Sequence, residues 1–174
     1  MSFLIRPATS ADLPAINDLY NHYVLTSTAT WQLEPTTNAQ RGEWFAAHVP
    51  HYPVLVATPA SGTSSGEAPS ILGWGSLSPF HQRPGWRFTV EDSLYVLPSH
   101  HRRGIGRGLL SQLLRLGDSL GYRSTVAVIS GDQTASIRLH LALGFSHAGV
   151  IPNAGYKFQR WLSATYLLRQ REPS

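Results

Sequence analysis

The sequence predicts an α/β fold: one domain over residues 1–174, with a mixed, mostly antiparallel sheet flanked by helices. Three observations predict it. Short β-type runs and helical periodicities succeed one another as β-α-α-β-β-β-α-β-α-β-β, with no internal repeat. The chain is 42% hydrophobic and only 14% charged, with five tryptophans, which suits a compact core. A β-type run over 93–97 feeds a loop with Gly104, Gly106 and Gly108 and then a helix carrying Leu109, Leu110, Leu113, Leu114, Leu116 and Leu120.

Residues 3–6 read as the first strand, stopped by Pro7. Thr9-Ser10-Ala11-Asp12 opens a helix with Leu13, Ile16, Leu19, Tyr20 and Tyr23 at helical spacing. Residues 26–30 form a polar loop leading into 31–34. A second helix spans 38–49 and ends at Pro50. Residues 54–57 are a short apolar strand, 59–70 a Gly/Ser/Thr/Pro-rich hairpin loop, and 71–77 its partner strand. An irregular segment, 79–85, precedes a long strand over 86–97. Past the glycine-loop helix, 124–129 is β-branched and strand-like, and a helix over 134–143 is capped by Gly144. Strands at 146–151 and 161–168 flank a turn at Gly155-Tyr156-Lys157.

The formal charge of +4 comes from 13 arginines and a single lysine, Lys157. Apart from the 102–107 cluster they are scattered, and no aromatic RNA-stacking or helix-turn-helix pattern accompanies them, so nucleic acid is not the expected partner. There is no cysteine, which removes disulfides, thiolate metal sites and a cysteinyl acyl-enzyme. The eight histidines show no H-E-x-x-H spacing, and with no cysteine available no metal is expected. No apolar leader or membrane-length run is visible, and the expected location is cytoplasmic.

A strand, a glycine-stripped turn and a helix N-terminus make an anion-binding device, because outward N–H groups and the helix dipole favour a phosphate. Arg102, Arg103 and Arg107 add permanent charge. A P-loop would end in Gly-Lys-Ser/Thr, whereas Gly106 is followed by Arg107 and Gly108. A dinucleotide site would space its third glycine one place later and place an acidic residue about 20 positions on. Residues 124–127 supply no carboxylate.

His101-Arg102-Arg103-Gly104-Ile105-Gly106 resembles the Arg/Gln-x-x-Gly-x-Gly/Ala pyrophosphate signature of the GNAT superfamily of N-acetyltransferases, with His101 where Gln or Arg is usual. Residues 127–145 resemble its second cofactor segment, with Gln133 in place of Asn, followed by Ser136 and Gly144-Phe145. Residues 88–96 and Ala154-Gly155-Tyr156-Lys157…Trp161 resemble a narrower group, the phosphinothricin and methionine sulfoximine N-acetyltransferases. The likeness runs from Ile5 to about Leu168 and implies the GNAT fold, acetyl-CoA as cosubstrate, a small amino-acid-like amine as acceptor and a homodimer.

Amine acetylation needs four devices. Residues 102–108 (Arg102, Arg103, Gly104, Ile105, Gly106, Arg107, Gly108), with His101, can hold the phosphates. Glu91, in an otherwise apolar strand, is the candidate base for the ammonium, directly or through water. Backbone N–H groups near Leu94, Tyr95 and Val96 could stabilise charge on the thioester oxygen. His140 is placed by resemblance to serve the thiolate leaving group, and Gln133 and Ser136 to contact the cofactor. Glu91 as a solvated edge carboxylate and His140 as a packing histidine are the competing readings. Trp31, Phe80, Arg83, Arg87 and Tyr156 are the expected acceptor residues, with Arg83 or Arg87 gripping a carboxylate. Trp44 and Trp161 are read as packing the core or a dimer face. Rival functions are acetylation of a polyamine or peptide N-terminus, and non-catalytic acyl-CoA binding.

Overall fold

The computed structural model describes residues 2–60 and 71–171. Seven strands form one sheet in the order β1-β2-β3-β4-β5-β7-β6. The strands are β1 (Phe3–Pro7), β2 (Val54–Pro59), β3 (Gly73–Pro79), β4 (Thr89–Val96), β5 (Ser124–Ser130), β6 (Ser146–Lys157) and β7 (Arg160–Gln170). The helices are α1 (Leu13–Thr26), α2 (Asn38–His48), α3 (Ile105–Ser119) and α4 (Thr134–Leu141). Every pairing is antiparallel except β4 with β5, which is parallel. The expected order of elements and the mixed, mostly antiparallel sheet are therefore observed. The hairpin loop expected over 59–70 lies, from residue 61 on, outside the described residues.

Alternation along the strands sends side chains to two cores. On one face Leu55, Ala57, Leu77 and Val90 pack against Ile105, Leu109 and Leu113 of α3. On the other, Val56, Trp74 and Tyr95 pack against Ile16, Leu19 and Tyr23 of α1. α3 also meets β5 and β7 through Leu110, Leu114, Ala127, Ile129 and Leu167. Among the described residues no helix is long and apolar enough to cross a membrane.

Two expectations need correction. Residues 86–88 are not strand: Pro84, whose fixed φ suits a first helical position, opens the 3-10 turn Pro84–Trp86, and β4 begins at Thr89. The β6–β7 turn is not at Gly155-Tyr156-Lys157, which lie within β6. It is made by Phe158 and Gln159, with φ of 49° and 58°, between the paired Lys157 and Arg160. A two-residue turn with positive φ at both centres matches strand twist, and here non-glycine residues adopt it. Gly155 instead follows a register shift and lies under Trp31, where a Cβ would collide with the indole ring.

Candidate active site

The sheet makes the site by coming apart. β4 and β5 pair only at Thr89↔Ser124, Val90↔Thr125 and Glu91↔Val126. Beyond Glu91 they share no ladder, leaving a cleft of about 1020 Å³ between β4, β5 and the starts of α3 and α4. The Leu97 N–H donates to Leu72 on the β3 side, whereas the Phe88 carbonyl accepts from Arg123 and Ser124 on the β5 side. By alternation the N–H and C=O groups of Leu94 and Val96 point into the split, while those of Tyr95 face β3. The Tyr95 ring is buried, stacked on Trp74 with centroids 4.9 Å apart.

At the mouth, α3 starts at Ile105, with Gly104 at φ +83° as its N-cap residue and Arg102 also at positive φ, +59°. Gly108 is the first residue whose N–H returns to the turn, donating to the Gly104 carbonyl at 2.9 Å. The N–H groups of Ile105, Gly106 and Arg107 precede it and have no intrahelical partner, which is the arrangement an anion needs. Nothing lies within 4 Å of where a Gly104 side chain would stand, so a ligand can approach. These residues thus fit a diphosphate. Gly108 does not join them: its N–H is used, and a Cβ there would sit 2.9 Å from Ile5 Cδ1 and 3.2 Å from the Phe3 ring. It is a helix-to-sheet packing glycine. Arg103 is exposed and outside the cleft lining.

His101, at the unusual place in the loop, points back rather than out. Its Nε2 lies 3.0 Å from the Val96 carbonyl and 2.8 Å from the Tyr23 hydroxyl, which itself donates to that carbonyl. The imidazole therefore ties the end of β4 to α1. Burial pushes the Tyr23 phenol up to about 12, so it stays a donor at neutral pH.

Consecutive carboxylates take opposite faces of β4. Glu91 shares its parity with Ser93 and Tyr95 on the α1 side and pairs across the ladder with Ser78. Burial, reinforced by the neighbouring Asp92 charge, raises the Glu91 carboxyl to about 7. Asp92 shares its parity with Val90 and Leu94 on the α3 side, where its Oδ2 lies 3.0 Å from His140 Nε2. Asp92 was not expected from sequence. An acidic residue at an inward position between Val90 and Leu94 was the available signal.

Ser136 and Gln133 both line the cleft, but their groups are partly engaged. The Ser136 carbonyl lies 2.8 Å from His140 Nδ1, and the Gln133 amide donates to Thr28 Oγ1 at 2.8 Å. Of the expected acceptor residues, Trp31 lines the cleft. Phe80, Arg83, Arg87 and Tyr156 do not. Phe80 packs on Trp86, Arg87 lies over the Phe88 ring, Arg83 is exposed, and Tyr156 stands outside against Trp161. Trp44 is partly buried against Trp74, as expected, but Trp161 is 64% exposed and so does not pack the core. Arg41 also lines the cleft, and was missed because its helix is mostly polar. Its signal was the spacing Arg41, Trp44, His48, an inward stripe that includes an arginine.

A profile of the Acetyltransferase (GNAT) family matches residues 16–145. An L-methionine sulfoximine/L-methionine sulfone acetyltransferase of Pseudomonas paraeruginosa is 38% identical, across 100% of this chain and 98% of that protein. A phosphinothricin N-acetyltransferase of Streptomyces viridochromogenes is 36% identical, across 97% and 87%. Among solved structures, a GNAT superfamily phosphinothricin acetyltransferase of Sinorhizobium meliloti in complex with AcCoA superposes with a TM-score of 0.91. That protein is 34% identical, across 100% of this chain and 94% of the other.

Proposed function

This chain belongs to the GNAT acetyltransferase family, and from that premise we propose that it acetylates the amino group of a small amino-acid-like acceptor, of the methionine sulfoximine, methionine sulfone or phosphinothricin kind. The observation that carries the proposal is Glu91. A carboxyl raised to about 7 lines the same cleft as the free N–H groups of α3. A base with that affinity can take a proton near neutral pH and still give it up.

Acetyl-CoA, when bound, supplies an activated thioester. The N–H groups of Ile105, Gly106 and Arg107 would hold its diphosphate, with Arg102 and Arg107 adding charge. Glu91 would take the acceptor's ammonium proton, directly or through a water, because only the free amine is a nucleophile. The N–H groups of Leu94 and Val96, unpaired with β5, would stabilise charge on the thioester oxygen. His140 would serve the departing thiolate. With no cysteine to carry an acyl group, direct attack in a ternary complex is the natural route.

Two rival readings fit less well. A polyamine would set a second cation against Arg41 in the chamber, and a non-catalytic binder has no use for a carboxyl tuned like Glu91. The deciding experiment follows thiol release from acetyl-CoA with amino-acid analogues, polyamines and peptides. Release with the last two alone would reject the assignment. A homodimer and a cytoplasmic location are proposed with it, on the family resemblance, and sedimentation velocity tests the first.

A further inference from the structure

Arg41, on α2, is 5% exposed, yet it lines the cleft. Its guanidinium lies over three rings, 4.5 Å from the centroid of Tyr20, 4.8 Å from Trp44 and 5.5 Å from Trp74. Nε donates to Asn17 Oδ1 and Nη2 to Thr36 Oγ1, each at 3.3 Å. Those bonds engage two of five N–H donors. Among the described residues, no carboxylate forms an ion pair with it. A buried cation without a counter-charge is costly, and aromatic faces offset only part of that cost.

Two further groups lining the same cleft are unsatisfied. Among the described residues, the buried Trp74 Nε1 and Ser76 Oγ have no hydrogen-bond partner, and the Trp74 ring lies under the Arg41 guanidinium. Trp74, Ser76 and Ser78 alternate onto one face of β3, opposite Tyr95, Ser93 and Glu91 of β4. Ser76 is therefore one step, and Trp74 two steps, from the pair that holds Glu91: roughly 7 and 13 Å along the strand. One chamber thus presents a carboxylate at one end, and a guanidinium, an indole N–H and a hydroxyl at the other.

We infer that Arg41, Trp74 and Ser76 form an anion subsite that receives the acceptor's carboxylate and selects amino acids over simple amines. The inference rests on the acetyl-transfer reading above and names its acceptor class. The ligand complements the site on both counts: a carboxylate accepts from a guanidinium fork and from neutral donors, while the ammonium end faces Glu91. It also replaces Arg83 and Arg87, which stand outside the cleft, as the anchor.

The test compares methionine sulfone with its carboxamide under saturating acetyl-CoA, for the wild type, Arg41→Gln and Ser76→Ala. The readout is the ratio of kcat/KM for acid over carboxamide. Changes in that ratio between variants cancel the different basicities of the two amines. Arg41→Gln is expected to lower the ratio by roughly 30-fold, and Ser76→Ala by about 3- to 10-fold, the scales of a charge-assisted and a neutral hydrogen bond. A ratio unchanged in Arg41→Gln overturns the inference. Should that variant fail to fold, as judged by circular dichroism and gel filtration, an unchanged ratio in Ser76→Ala does so. If the wild type releases no thiol with any acceptor, the acetyl-transfer reading fails. Calorimetry then reads the subsite separately: tighter binding of the acid supports it, and equal affinity for acid and carboxamide rejects it.

Discussion

His140 Nε2 lies 3.0 Å from Asp92 Oδ2, and each of the two side chains is only 2% exposed. The other ring nitrogen, Nδ1, lies 2.8 Å from the Ser136 carbonyl. Nδ1–H donates to the Ser136 carbonyl, and Nε2 meets the Asp92 carboxyl, which favours a second proton on the ring. Burial by itself would lower the His140 pKa, but the Asp92 charge, its hydrogen bond and the Ser136 carbonyl together outweigh burial and raise it. Among the described residues Asp92 Oδ1 has no partner, so one carboxylate oxygen is left over within the cleft lining.

Breaking this pair is expected to cost about 3–5 kcal/mol, because either partner alone leaves a buried charge. Asp92→Ala should show that loss in urea unfolding, and an Asp92→Leu/His140→Leu double variant should recover most of it. The sign with pH follows from the raised folded pKa. The stabilisation is complete below the unfolded value of 6.5 and fades as pH rises through the higher folded one. A flat difference between the wild type and Asp92→Asn from about pH 5 to pH 9 would contradict the pairing.

Glu91→Gln is expected to lower kcat by roughly 10²- to 10⁴-fold with acetyl-CoA affinity nearly unchanged. In the wild type, kcat/KM for the acceptor should rise with pH through about 7, as the carboxyl ionises. Asp92→Asn should move that limb to lower pH by removing the neighbouring negative charge. An undiminished rate in Glu91→Gln takes the residue out of the mechanism.

The same carboxyl should destabilise the fold at high pH. Its folded pKa, about 7, lies above the ordinary glutamate value of 4.5, so the unfolded chain releases this proton first and stability falls across that window. The full shift corresponds to roughly 3 kcal/mol. Glu91→Gln should therefore unfold at a higher temperature than the wild type at pH 8 but not at pH 4. Equal melting points at pH 8 would refute it.

Glycines of one loop should separate into two classes. Gly104→Ala forces a side chain into φ +83°, costing about 1–2 kcal/mol locally, and should raise KM for acetyl-CoA. Gly108→Val meets Ile5 and Phe3 instead, and should lower stability by about 1–3 kcal/mol with little effect on that KM. Kinetics and thermal melts on the two variants settle the division. Equal KM effects would mean that Gly108 belongs to the binding loop after all.

Gly155→Ala should drive the Trp31 indole off β6 and raise KM for the acceptor, leaving KM for acetyl-CoA close to the wild-type value. Indole fluorescence of the variant against Trp31→Phe reports the displacement. An acceptor KM insensitive to both substitutions would remove Trp31 from the acceptor lobe.

Much of this was readable along the chain, and the boundary between readable and hidden is physical. Leu109, Leu113 and Leu116 declare the α3 face through period alone, and Gly104 declares a backbone that only glycine holds easily. Phe158-Gln159 escaped because a turn with positive φ is expected of Asn or Gly, and here the paired strands β6 and β7 impose it. Arg83 and Arg87 looked like anchors because cations in irregular segments are available to ligands, but Pro84–Trp86 folds that segment outside the cleft.

By itself, the sequence determined the order of strands and helices and the glycine-marked start of α3, since each depends on local backbone preference, short periodicity or a motif; Glu91 was a candidate through resemblance. Only the tertiary structure decided that Asp92 meets His140, 48 residues away, and that Arg41 stands over Trp74. Those contacts depend on strand register and on where β4 parts from β5, and both are set by packing across the whole sheet.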